Sequence, residues 1–140
     1  MPFDKEYLKK ALENDNNESI VTLTIQDIKS QKNDILQKLN LSRENLRENT
    51  KKLKEYRYIN NINDLNYGSY IRWINLTKID NLKLTNGGLI CEIKINNGIE
   101  ILCKNNYNKF FVVNFDENLI FQKLTNQEKI ILHVIKELNK

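Results

Sequence analysis

The chain has few of the residues from which catalytic and metal centres are built. Its 140 residues include one His, two Cys, one Trp, one Pro and four Gly. Cys91 and Cys103 would need two further Cys or His ligands to hold zinc, and only His133 remains. No CxxC spacing is present, so a redox pair is not indicated either. There is no Gly-rich phosphate loop, no GxSxG and no HExxH. The acidic residues are scattered, with no pair that could divide the work of acid and base. No catalytic residue, cofactor or metal ligand is therefore expected, and the chain is read as non-enzymatic. His133 is expected at a surface or boundary position. Long apolar runs are missing too. Phe110-Phe-Val-Val113 is strand-sized, far short of the ~20 residues that span a bilayer. Met1-Pro-Phe-Asp4 has neither a basic nor an apolar leader region, so secretion is not expected and both thiols should be reduced.

What the chain has in excess is Asn, 23 residues of it. Asn, Ile, Lys and Tyr in surplus are the product of AT-rich codons. The charge is mildly basic, +4 with a pI near 9.0. Residues 1–58 hold twelve Lys/Arg against ten Asp/Glu, and residues 59–140 hold ten against eight. Dedicated nucleic-acid binders usually concentrate a larger excess on one face. An ordinary solvated surface is the simpler reading of these totals.

The clearest local signal is Gly88-Leu-Ile-Cys-Glu-Ile-Lys-Ile-Asn-Asn-Gly-Ile-Glu-Ile-Leu-Cys-Lys104. Both arms alternate apolar and polar with period two, which predicts a hairpin of half-buried strands. Asn96-Asn97-Gly98 is a three-residue loop closed by a left-handed Gly, and its odd length keeps the apolar faces together. The expected register sets Ile95 opposite Ile99, Ile93 opposite Ile101 and Cys91 opposite Cys103, with Lys94 facing Glu100 outside. Both cysteines are expected to be small buried residues.

Around this hairpin the pattern predicts an α+β fold in two parts. Residues 1–58 read as a helical region. A short helix covers Phe3–Glu13, with Phe3, Tyr7, Leu8, Ala11 and Leu12 on one side. A helical hairpin follows, from Ile25 to Leu39 and from Ser42 to Tyr56. Thr24 and Asp27 form the first cap, Asn40 suits a left-handed turn, and Ser42 caps the second helix. Leu46, Thr50, Leu53 and Tyr56 face inward. Residues 59–140 read as a small SH3-like or OB-like antiparallel barrel with a C-terminal amphipathic helix. Its strands are placed at Tyr67–Leu76, Leu82–Thr85, the two hairpin arms, Lys109–Phe115 and Leu119–Leu124. Phe110–Val113 and Leu119–Phe121 are apolar without alternation, so both are expected to be buried on both faces. The terminal helix, opened by Thr125 and Glu128, should cover Phe110–Val113 with Ile130, Ile131, Val134, Ile135 and Leu138.

Two constellations bear on function. Residues 35–53 resemble the helix-turn-helix pattern of DNA-binding proteins. Leu39, Leu41, Leu46 and Leu53 match its apolar positions, and Asn40 stands at its turn. Arg43, Arg47 and Lys51 would then line the recognition stripe. Leu36 stands where a small residue is usual, Thr50 where an apolar one is, and Glu44 and Glu48 dilute the charge. A plain helical hairpin with solvated charges is the alternative. On the first barrel strand, Tyr70 and Arg72 share a face with Ile74, while Ile71 and Trp73 share the other. Tyr70 and Arg72 are candidates to contact RNA, single-stranded DNA or a peptide, or else are buried against the N-terminal helices. Trp73 is placed inside.

Gly68-Ser-Tyr-Ile-Arg-Trp-Ile74, Leu84-Thr-Asn-Gly-Gly88, Leu119-Ile-Phe-Gln-Lys-Leu-Thr125 and Gln127-Glu-Lys129 together resemble a family of short proteins from giant viruses, the nucleocytoplasmic large DNA viruses of protists. The resemblance covers about residues 55–138 and implies no activity. It implies action in the host cytoplasm, at the virus factory, or in the virion. The expected function is a protein-interaction or assembly module that engages a protein partner or a second copy through the N-terminal helices. Nucleic-acid binding is the alternative, and neither a membrane nor a small-molecule substrate is expected.

Overall fold

Side-chain caps set the helix ends. In the computed structural model, which describes residues 5–139, α1 spans Lys5–Glu13, α2 Ile25–Gln37, α3 Arg43–Lys52 and α4 Asn126–Leu138. Phe3, expected on the first apolar face, lies outside the described residues. Thr24 with Asp27 and Thr125 with Glu128 each form a full capping box. Ser42 accepts from the Asn45 N–H, and Asn40 turns the chain between α2 and α3 at φ +53°. Helix α3 stops at Lys52 and does not run on to Tyr56. Tyr56-Arg-Tyr-Ile59 instead forms β1, because its aromatic and β-branched residues gain a ladder partner in a later strand.

The remaining strands are β2 Tyr70–Asn75, β3 Gly88–Ile95, β4 Ile99–Lys104, β5 Phe110–Asn114 and β6 Asn118–Lys123. They form one antiparallel sheet in the order β1-β6-β2-β3-β4-β5. The sheet is open, with β1 and β5 at its edges, so the expected closed barrel does not form by hydrogen bonding. It is nevertheless strongly coiled. Only a single turn, Phe115–Glu117, carries the chain from the edge strand β5 to β6. In a flat sheet those two strands would lie four spacings apart, roughly 19 Å. The link reaches about 14 Å at full extension. Leu82–Thr85 is no strand, and only an isolated bridge joins Leu84 to Ile74.

The hairpin follows the expected register near its turn. Ile95 pairs with Ile99, Lys94 with Glu100 and Ile93 with Ile101. The left-handed residue is Asn97 at φ +53°, with Gly98 following at φ +140°. Further along, the register shifts between Ile90 and Glu92, and Cys103 faces Ile90. Cys91 is the extra residue and stands exposed, while Cys103 is buried. This corrects the expected cysteine pairing. Turn parity governs a ladder only up to the first bulge, and here the start of β3 is also held by β2. The Ile90 N–H donates to Ser69 O at 2.9 Å and Ile90 O accepts from Gly68 at 2.8 Å.

Burial pushes the Cys103 thiol up from its ordinary 9.0 to about 12, with a smaller push from Cys91. The folded state thus favours the neutral thiol. That contribution is complete below pH 9 and is lost as pH rises toward 12. A thiol reagent at pH 8 is expected to label Cys91 quickly and Cys103 only on unfolding. Equal labelling rates in the native protein would contradict the bulge.

Three apolar clusters fill the fold. Ile71, Ile90, Ile101, Cys103, Val113 and Ile120 pack inside the coiled sheet. Leu36, Leu53, Tyr56, Ile74, Leu119 and Phe121 join α2 and α3 to its other face. Ala11, Ile20, Ile28, Ile131 and Leu132 bind α1 and α2 to α4. Helix α4 therefore packs on the N-terminal helices and not on β5. Its buried pair is Ile131 with Leu132, and Leu138 is exposed. Leu119–Phe121 is buried as expected, since β6 is an inner strand. Phe110–Val113 is not: only Val113 is buried, and Phe110, Phe111 and Val112 stand exposed on the edge strand.

A candidate aromatic and basic cleft

Tyr70 and Arg72 are both half-buried, and each holds the loop that leads into β3. The Tyr70 hydroxyl donates to Asn86 O at 2.8 Å and Arg72 Nε donates to Thr85 O at 2.8 Å. Thr85 in turn bonds the backbone of Trp73, donating its N–H to Trp73 O and accepting from Trp73 N at its hydroxyl. Gly87, at φ +91°, presses this loop onto β2. A Cβ there would run into Ile71 O and the Tyr70 and Arg72 side chains. Tyr70 also packs on the cluster shared with α2 and α3. Part of each side chain is thus spent on structure, and the rest lines a cleft.

The cleft encloses about 600 Å³ between Tyr70, Arg72 and Trp73 on one side and Tyr107 and Phe111 on the other. Asn86, Asn105 and Asn106 supply amides at its rim, and among the described residues no carboxylate lines it. Tyr107 is 90% exposed, on the turn between β4 and β5. That turn is rigidly built: Asn105 Oδ1 accepts from the N–H groups of both Tyr107 and Lys109 at 2.9 Å, and Asn108 sits at φ +60°. Arg72 forms no ion pair among the described residues. Its charge reaches Tyr56, where it partly offsets the rise that burial imposes on the phenol. Trp73, placed inside from sequence, packs on the core and lines the cleft as well.

Tyr56 lines a second hollow, together with Lys51, Lys52, Lys54, Lys123 and Glu55. Glu55 is engaged elsewhere. It accepts from Lys129 Nζ at 2.8 Å, and that bond holds its carboxyl below the ordinary value. Lys52 pairs with Glu48 at 3.5 Å. Of the expected recognition stripe, Arg43, Arg47 and Lys51 are all exposed on α3, and only Lys51 reaches this hollow. Leu53 is buried and Leu39 and Leu46 are partly buried, as the helix-turn-helix pattern requires. Thr50 is exposed and returns its hydroxyl to Leu46 O, while Asn49 takes the inward position.

The sequence reading missed Tyr107, Phe111 and Asn105. A signal was present in Asn105-Asn-Tyr-Asn108, since a Tyr among three Asn on a turn has no core to enter. Phe111 carried no such signal, because an apolar run does not show that its strand is an edge. Among the described residues, no group of three or more His, Cys, Asp or Glu side chains is placed to hold a metal ion, and no helix is long and apolar enough to cross a membrane. The chain matches no protein-family model, no curated protein and no solved structure.

Proposed function

We propose that the protein is a non-enzymatic binding module for single-stranded nucleic acid. The observation that carries this is the cleft itself: four aromatic side chains and, among the described residues, a guanidinium without a carboxylate partner and no acidic lining residue. Single strands are held without strict sequence preference by bases stacked on aromatic rings and phosphates on basic side chains. Trp73, Tyr107 and Phe111 supply the platforms, Arg72 the cation beside them, and Lys51, Lys54 and Lys123 a continuation for the backbone. Duplex DNA suits this cleft poorly, because its bases are already stacked on one another. Assembly through the N-terminal helices has less support, since α1 and α2 spend apolar surface on α4 and α2 packs against β1 as well. We also read the coiled sheet as a small barrel of SH3-like or OB-like type, on the strength of the short link from β5 to β6. The virus factory or virion as the place of action rests on the giant-virus resemblance.

Trp73 is the only Trp and lines the cleft, so Trp fluorescence arises from this one position. Adding a twelve-nucleotide uridine or thymidine strand is expected to quench it saturably, and the matching duplex to leave it unchanged. Tyr107→Ala should weaken single-strand binding roughly 5- to 150-fold, the equivalent of about 1–3 kcal/mol for one stacked base. Arg72→Gln should lower the salt slope by about 0.7 for a lost single-strand phosphate contact. Duplex binding that disappears when Arg43, Arg47 and Lys51 are all neutralised would replace this reading with the helix-turn-helix one. No binding to either form would return the protein to the class of protein-interaction modules.

A further inference from the structure

The two edges of the sheet are treated differently. Helix α2 packs against β1. Among the described residues, no helix packs against strand β5 in this way. Its residues Phe110-Phe-Val-Val-Asn114 carry no charge, no Pro and no bulge, the devices that blunt exposed edges. Phe110 is 58% and Val112 65% exposed.

The ladder shows which groups are available. Asn105 N–H bonds Lys109 O at 2.9 Å, so the 105/109 pair is a hydrogen-bonded one. Alternation along the antiparallel register then makes Phe111 and Val113 the residues bonded to β4. Phe110, Val112 and Asn114 turn their N–H and C=O groups to the open side. Asn114 O already accepts from Asn118 Nδ2 at 2.8 Å, which leaves a lone pair. The charges flanking the strand are of opposite sign, with Lys109 before it and Asp116 and Glu117 after it, all exposed.

We propose that β5 is a self-pairing edge, at which two copies of the chain join antiparallel about a two-fold axis at Val112. That register sets Val112 opposite Val112 and Phe110 opposite Asn114, and it uses every outward backbone group of the strand. It also brings Lys109 of each copy to the Asp116-Glu117 end of the other. Parallel pairing would set like charges together. The contact closes on itself, so it makes a dimer and not a filament. One strand pair covers less than the roughly 1,200 Å² of a permanent interface, so the dimer is reversible. Val112, Lys109, Asp116 and Glu117 do not line the aromatic cleft, so this proposal can fail without affecting the nucleic-acid reading.

Sedimentation of the full chain over a wide concentration range is the test. The wild type should pass from monomer to dimer. Val112→Lys should be monomeric at all concentrations with an unchanged melting curve, since surface changes usually stay within about 0.5 kcal/mol. Lys109→Glu should weaken the dimer at least several-fold, and adding Asp116→Lys and Glu117→Lys to the same chain should restore it. A wild type that stays monomeric, a dimer that survives Val112→Lys, assembly beyond two copies, or failure of the charge exchange to restore dimers would each overturn the proposal.

Discussion

Phe121→Ala is expected to destabilise the protein by about 3–5 kcal/mol, the range for removing a buried aromatic from a core that cannot collapse around the gap. Phe121 is fully buried. It sits in β6 between β1 and β2, opposite Tyr58 on one side and Arg72 on the other. Its ring meets Tyr58 at 5.7 Å between centroids in a tilted arrangement. Its cluster also holds Leu36 and Leu53, so one deletion loosens both sheet and helices. A shift of roughly 10–20 °C in melting temperature follows for a chain of this size. Phe110→Ala serves as the comparison, since Phe110 is mostly exposed. Similar losses for the two variants would mean that β6 is not the centre of the fold.

The second large effect is expected at Gly87. An L-residue at φ +91° carries a backbone penalty of about 1–2 kcal/mol. The added Cβ of Gly87→Ala also meets Ile71 O, which belongs to a paired strand and cannot step aside. Together these should cost roughly 3 kcal/mol or more. The loop would lift from β2, its bonds from Tyr70 and Arg72 would break, and the Trp73 emission would shift red. Gly98→Ala isolates the backbone part, because Gly98 is also at positive φ but has nothing within 4 Å of its would-be Cβ. Chemical denaturation of both variants decides the matter. Equal midpoints would show that the close approach at Gly87 is unimportant.

The elements that the sequence reading located well are those governed by neighbours in the chain. Thr24 with Asp27, Ser42, and Thr125 with Glu128 start helices because a side-chain oxygen reaches an N–H two or three residues on. Asn40 and the Asn96-Asn97-Gly98 turn are local for the same reason: their backbone angles depend on the residue itself. Alternation settled the pairing from Ile95 and Ile99 back to Ile93 and Ile101.

What the tertiary structure decided depends on partners far along the chain. Tyr56-Arg-Tyr-Ile59 becomes a strand because β6 lies more than fifty residues away to receive it. Cys91 leaves the core because β3 must serve β2 and β4 at once and bulges between them. Phe110–Val112 and Leu119–Phe121 look alike as apolar runs, yet one is an exposed edge and the other the sheet's inner strand, since strand order is not written in either segment. The same holds for the cleft. The sequence by itself determined that Tyr70 and Arg72 share a face, while Tyr107 on its Asn-rich turn went unread. Only the coiling of the sheet placed them around one space with Trp73 and Phe111, because that space exists between elements and belongs to none of them.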